Sequence, residues 1–147
     1  MPSDLLIRPA RPQDAAAVAP LVEELGYRTD PREVRARLER IIHGADTGAL
    51  VAELDGRVVG LATHSLTHLI YRPSPQCRLT ALVVGAGQRR RGVGRALVAE
   101  VESVARRSGC DRLELTTRPS RSDALGLYAA LGFERRPERL IKWLASG

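Results

Sequence analysis

The chain has 147 residues, of which 44% are apolar and 27% charged, a balance ordinary for a soluble globular protein. That length argues for one domain, residues 1–147, with room for a real core. The net charge is +6, and every basic residue except Lys142 is arginine, a surface that suits a polyanionic ligand.

No apolar run approaches the roughly 20 residues of a membrane span. Met1-Pro2-Ser3-Asp4 does not open a secretory signal. The expectation is a cytoplasmic protein with no membrane partner. Cys77 and Cys110 have neither CxxC spacing nor a histidine at zinc-site spacing, so they read as free thiols, with no metal site. The few aromatics, Tyr27, Tyr71, Tyr128, Phe133 and Trp143, are not interleaved with the basic residues, and no nucleic-acid partner is expected.

Taken in order, residues 4–8 predict a short first strand, ended by Pro9 and Pro12. Residues 15–25 have helical spacing at Val18, Val22 and Leu25, with Pro20 set to kink the helix or mark its effective start. Asp30-Pro31-Arg32-Glu33 opens a second helix with a cap, a first-position proline and a capping-box glutamate; Val34, Leu38, Ile41 and Ile42 form its apolar face. Residues 49–54 and 57–66 predict strands joined by the two-residue turn Asp55-Gly56. A loop over residues 67–76 leads to a strand at residues 77–84, apolar enough at its end to be central and buried on both faces.

Residues 93–107 predict the clearest helix, with Val93, Leu97, Val101, Val104 and Ala105 inward. Residues 112–117 alternate as a strand. Ser122 or Asp123 caps a short helix running to Leu131, in which Gly126 suggests close packing, and residues 133–136 and 139–144 predict two last strands around Pro137. The pattern gives a mixed α/β domain in the order β-α-α-β-β-β-α-β-α-β-β around one central sheet.

Between the strand at residues 77–84 and the helix at residues 93–107 stands Gly85-Ala86-Gly87-Gln88-Arg89-Arg90-Arg91-Gly92-Val93-Gly94-Arg95. Unpaired N–H groups at a helix start bind phosphate when side chains leave room. Gly92 and Gly94 leave that room, and Arg89, Arg90 and Arg91 add guanidinium donors. A P-loop would need Gly-Lys-Ser/Thr, which is absent. A dinucleotide fingerprint would need a third glycine after the first strand, whereas this loop follows the fourth.

Arg89-x-x-Gly92-x-Gly94 in this setting resembles the acetyl-CoA signature of GNAT-type N-acetyltransferases. Leu6-Ile7-Arg8-Pro9-Ala10 with Asp14, Leu54-Asp55-Gly56-Arg57-Val58-Val59-Gly60, and Asp123-Ala124-x-x-Leu127-Tyr128-x-x-Leu131-Gly132-Phe133 resemble three further segments of that family, in the same order. The resemblance implies a central mixed, mostly antiparallel sheet with about four helices, and acetyl-CoA as co-substrate. It implies that backbone groups of Leu82, Val83 and Val84 pair with the pantetheine amides, and that Arg89, Arg90, Arg91, Gly92, Val93, Gly94 and Arg95 hold the pyrophosphate. Tyr128 would stand at the thioester sulfur, where such a tyrosine often protonates the departing thiolate, whose free pKa is about 8.5.

The expected activity is direct transfer of acetyl to a primary amine of a small molecule or peptide, without an acyl-cysteine. The first two helices and the loop over residues 67–76 would line the acceptor pocket. A non-catalytic CoA-binding sensor or interaction module is the alternative, and a homodimer is left open. Relatives often carry a carboxylate base in the strand before the loop. Here that strand reads Arg78-Leu79-Thr80-Ala81-Leu82, so the base is unassigned, with His64, His68, Glu114 or a water relay as candidates. Trp143 is expected in the core or a dimer contact, and Tyr71 on an exposed loop.

Overall fold

The apolar alternation of the sequence forms a five-stranded sheet in the computed structural model, which describes residues 4–88, 91–117, 122–136 and 138–144. The chain divides into two compact units, Met1–Thr116 and Thr117–Gly147. The first holds β1 (Leu5–Pro9), α1 (Ala15–Glu24), α2 (Pro31–His43), β2 (Thr47–Leu54), β3 (Arg57–Thr67), β4 (Gln76–Val84), α3 (Val93–Arg107) and β5 (Leu113–Leu115). Strands β1 to β4 pair antiparallel in sequence order, and β5 joins β4 in parallel.

Asp55 and Gly56 both have positive φ, 53° and 79°, as the predicted tight hairpin turn requires. On one face of the sheet α1 and α2 bury Val18, Leu21, Val34 and Leu38 against Ala49, Val51, Leu61 and Val83. On the other lies α3, which buries Val93, Leu97, Val98, Val101 and Ala105. Gly60 makes that second contact close, since a Cβ there would stand 3.0 Å from both Leu97 Cδ1 and Val93 Cγ1.

Arg8 locks the entry to α1. Its guanidinium grips both oxygens of Asp14, at 2.8 and 2.9 Å, and donates to Glu53 on β2 at 2.9 Å. The Arg8 side chain holds the Asp14 carboxyl below the usual range, and the Arg11 backbone N–H adds to the effect. Helix α1 passes through Pro20 instead of starting there. The proline forgoes a single intrahelical hydrogen bond, and it does so on the exposed side.

Strand β4 is less enclosed than its composition implies. It is fourth of five strands, and Thr80 is exposed between the buried Cys77, Leu79 and Val83. The second unit contains α4 (Ser122–Ala130), closed by Gly132 at φ 93°. A Cβ at Gly126 would meet nothing within 4 Å among the described residues, so no neighbouring backbone there accounts for the glycine. The two predicted last strands do not form: residues 133–136 and 138–144 are irregular, and Leu140, Trp143 and Leu144 are at least four-fifths exposed. Alternation of apolar residues makes a segment competent to pair, but a strand exists only where a neighbour takes up its backbone groups. Trp143, at 83% exposure, is not a core residue.

Candidate active site

The site begins where β4 parts from β5. Those two strands pair only over Cys77–Leu79 and Leu113–Leu115. From Thr80 to Val84, β4 is bonded to β3 alone among the described residues. Along Leu82, Val83 and Val84 the N–H and C=O of Leu82 and Val84 therefore face the open side without a strand partner among the described residues, while those of Val83, like the Gly85 N–H, face β3. An extended amide ligand takes such an edge as an added strand would.

At the end of β4 the chain turns on the Gly85 N–H, which donates to Val59 O at 2.8 Å, and passes through a 3₁₀ turn, Ala86–Gln88. Gly92 then caps α3 in the left-handed region, φ 78°, with no side-chain cap and, among the described residues, nothing within 4 Å of where a Cβ would stand. Only the Ala96 N–H reaches back to Gly92 O, at 3.0 Å; Val93, Gly94 and Arg95 fall in the first turn, whose amides have no partner within the helix. Arg91 and Arg95 are exposed beside it. The structure thus gathers Leu82, Val83, Val84, Arg91, Gly92, Val93, Gly94 and Arg95 along one strand–turn–helix path, while Arg89 and Arg90 lie outside the described residues. A cleft of about 360 Å³ adjoins this turn, with Arg57, Gln88 and Arg91 over an apolar floor of Leu54, Val58 and Val59. A second, of about 510 Å³, lies at the α1–α2 turn and is lined by Glu23, Gly26, Tyr27, Arg28 and Thr29.

Tyr128 belongs to the second unit. It is half-buried on α4, and its ring meets Phe133 edge-on at 5.7 Å between centroids. The candidate bases are placed as follows. His64 is buried on β3 over Gly48, where a Cβ would stand 2.5 Å from its Nε2. Its Nδ1 has no hydrogen-bond partner among the described residues, and burial pushes its pKa down. His68 is exposed in the following loop, as is Tyr71. Glu114, on β5, lies 3.9 Å from Arg112.

One feature escaped the sequence reading. The β3–β4 register passes from Thr63 opposite Ala81 to His64 opposite Leu79, which leaves Thr80 as the extra residue of a bulge. Its hydroxyl is 2.7 Å from that of the buried Thr63. A hydroxyl residue interrupting an apolar strand was the only trace of this in the sequence.

A sheet that splays beside a glycine-capped helix start suits an extended amide ligand that ends in phosphates. The model of the acetyltransferase (GNAT) family matches residues 16–133, and the chain belongs to that family. It is 34% identical over 139 residues to an aminoglycoside N(6′)-acetyltransferase type 1 of Stenotrophomonas maltophilia, covering 92% of this chain and 89% of that one. A protein of the same description from Salmonella typhimurium is 30% identical over 106 residues, with 70% of this chain and 72% of that one covered. Among solved structures, an aminoglycoside N-acetyltransferase in complex with CoA superposes with a TM-score of 0.83 at 26% identity, covering 96% and 94% of the two chains. The protein is an acetyl-CoA-dependent N-acetyltransferase. Among the described residues, no helix is long and apolar enough to cross a membrane.

Proposed function

We propose that the acceptor is an amino group of an aminoglycoside-type amino sugar, the 6′-amino group in particular. The observation that carries this is the 34% identity to an N(6′)-acetyltransferase across nine-tenths of both chains. The cleft at the α1–α2 turn supports it: Glu23 offers a carboxylate to a cationic sugar, and Tyr27 offers a ring edge.

Acetyl-CoA would lie with its pantetheine amides along the free edge of Leu82–Val84 and its pyrophosphate on the amides and side chains of residues 89–95. Helix-start N–H groups and arginines both favour the phosphate charge. The neutral amine attacks the thioester carbonyl within the ternary complex. A C–N bond forms, the C–S bond breaks, and one amine proton ends on the thiol. Tyr128 would donate the proton that the departing thiolate takes up. Accordingly, Tyr128→Phe should lower kcat about 10²- to 10⁴-fold while leaving the acetyl-CoA Kd unchanged, as for loss of a general acid. An unaltered kcat removes Tyr128 from that role.

We read residues 1–147 as a single acetyltransferase domain, because the family match at residues 16–133 runs through both units. The enzyme would act in the cytoplasm, where acetyl-CoA is made and used. The exposed Leu140, Ile141, Trp143 and Leu144 favour a homodimer that covers them, which sedimentation at several concentrations would reveal. The acceptor is tested by following CoA thiol release with aminoglycosides bearing a 6′-amino group, matched scaffolds bearing a 6′-hydroxyl, linear polyamines, and peptides. Turnover confined to the 6′-amino compounds is expected. Preference for peptides or polyamines overturns the assignment.

A further inference from the structure

The bulge at Thr80 bends β4 and increases its twist where the strand parts from β5. It expels one residue of β4 from the ladder, and it does so at the fork, directly after the last β4–β5 pair, Leu79 with Leu115. A polar side chain at that place would be unremarkable if solvent alone held it. Instead the Thr80 hydroxyl is tethered at 2.7 Å to Thr63, a residue only 7% exposed on the neighbouring strand, while Thr80 itself stays exposed. One partner is fixed by packing and the other is presented.

Distance along the strand indicates what it is presented to. A cofactor with its phosphates at the start of α3 and its amides along Leu82–Val84 runs down β4 toward Thr80. The four residues from Val84 to Thr80 span roughly 13 Å at about 3.3 Å each. An extended pantetheine arm covers that length, so the thioester comes to rest at the fork. Strand alternation puts Thr63 on the α1–α2 face with Leu61, and places His64 on the opposite face over Gly48. The buried histidine is thereby turned away from the hydroxyl pair.

We propose that Thr80 Oγ1 is the group that orients the acceptor amine, and that Thr63 is a positioning residue acting through it. Either hydroxyl of the pair can be the donor, and the proposed arrangement has the Thr80 hydroxyl donating to Thr63 Oγ1. This leaves the lone pairs of Thr80 Oγ1 to accept one N–H of the neutral amine, which aims the nitrogen lone pair at the thioester carbonyl. Thr80 carries no charge at any stage. When the C–N bond forms and the C–S bond breaks, the surplus proton on nitrogen passes to water, and the thiolate sulfur takes its proton from the Tyr128 hydroxyl, which regains one from solvent. The ammonium form of the acceptor loses its proton to water beforehand, and the site works by orienting the neutral fraction of the amine rather than by a carboxylate base.

This inference rests on the placement of acetyl-CoA along β4, so the experiment separates the two. Thr80→Val, Thr80→Ser and Thr63→Val are compared with the wild-type enzyme for acetyl-CoA Kd by calorimetry, for kcat and for acceptor KM. Thr80→Val should lower kcat about 10- to 100-fold, the penalty of a misaligned nucleophile, with the acetyl-CoA Kd unchanged. Thr80→Ser should restore kcat to within about threefold, because it returns the oxygen without the methyl group. Thr63→Val should give an intermediate loss in kcat. A wild-type kcat for Thr80→Val with normal cofactor binding overturns the proposal, as does a Thr80→Ser enzyme no better than Thr80→Val. Substitution of Val84 by proline, which removes an N–H on the side of β4 away from β3, reports on the cofactor placement: an unchanged acetyl-CoA Kd there sinks the placement, and with it the proposal.

Discussion

Burial holds the His64 imidazole in its neutral form, since its Nδ1 is enclosed without a partner among the described residues and Nε2 lies over Gly48. In the unfolded chain the same ring titrates near 6.5. Below that pH the unfolded state binds a proton that the folded state refuses, so stability is full above about 6.5 and falls as the pH drops toward the depressed folded value. Asp14 gives a second window. Its carboxyl is held low by Arg8, so its contribution is full above the unfolded value near 3.9 and disappears as the pH falls below it. Urea midpoints measured between about pH 8 and pH 5 should therefore fall for the wild type and stay nearly flat for His64→Gln, which cannot take up a proton. An equal decline in both proteins would mean that His64 is not the residue responsible.

At the scale of elements, the position of α3 against the sheet decides where the phosphate-binding amides stand. Gly60 sets that position, because Val93, the first residue of α3, and Leu97, one turn on, both close over it. A methyl group at residue 60 would need each neighbour to yield by a few tenths of an ångström. Gly60→Ala should cost about 1–3 kcal/mol, as overpacking does, and should weaken acetyl-CoA binding because the displaced turn carries the helix-start amides. Thermal melts and calorimetric titration together check this; lost stability with an unchanged Kd would uncouple the packing from the site. The elements also mark what the sequence makes legible. The Asp55-Gly56 turn was readable because left-handed backbone calls for particular residues locally, whereas Gly92 is legible for the room it leaves and not for its left-handed cap. The hydroxyl pair of Thr63 and Thr80 was not readable, because it depends on a register that changes at a bulge between strands seventeen residues apart. Residues 139–144 carry a strand's alternation yet remain irregular, since alternation states which face is apolar and not which neighbour will pair.

Taken whole, the molecule carries a charge of +6 and must gather two ligands of opposite sign. Acetyl-CoA is polyanionic; an aminoglycoside-type acceptor is polycationic. The overall field draws the first and repels the second, so an acceptor of the proposed kind would rely on short-range groups such as Glu23 beside the α1–α2 turn. Salt separates the two effects, because screening reaches exposed charges first. Raising ionic strength from about 10 mM to about 150 mM shortens the screening length from roughly 30 Å to roughly 8 Å. Over that range the acetyl-CoA Kd should rise several-fold, with the exposed Arg91 and Arg95 supplying much of the attraction. The acceptor KM should rise less, because the loss of its contact with Glu23 is offset by relief from long-range repulsion. Arg91→Ala should both weaken acetyl-CoA binding and flatten its salt dependence. If acceptor KM instead rose more steeply than the cofactor Kd, local carboxylates would dominate the global field, and the acceptor pocket would be acidic well beyond Glu23.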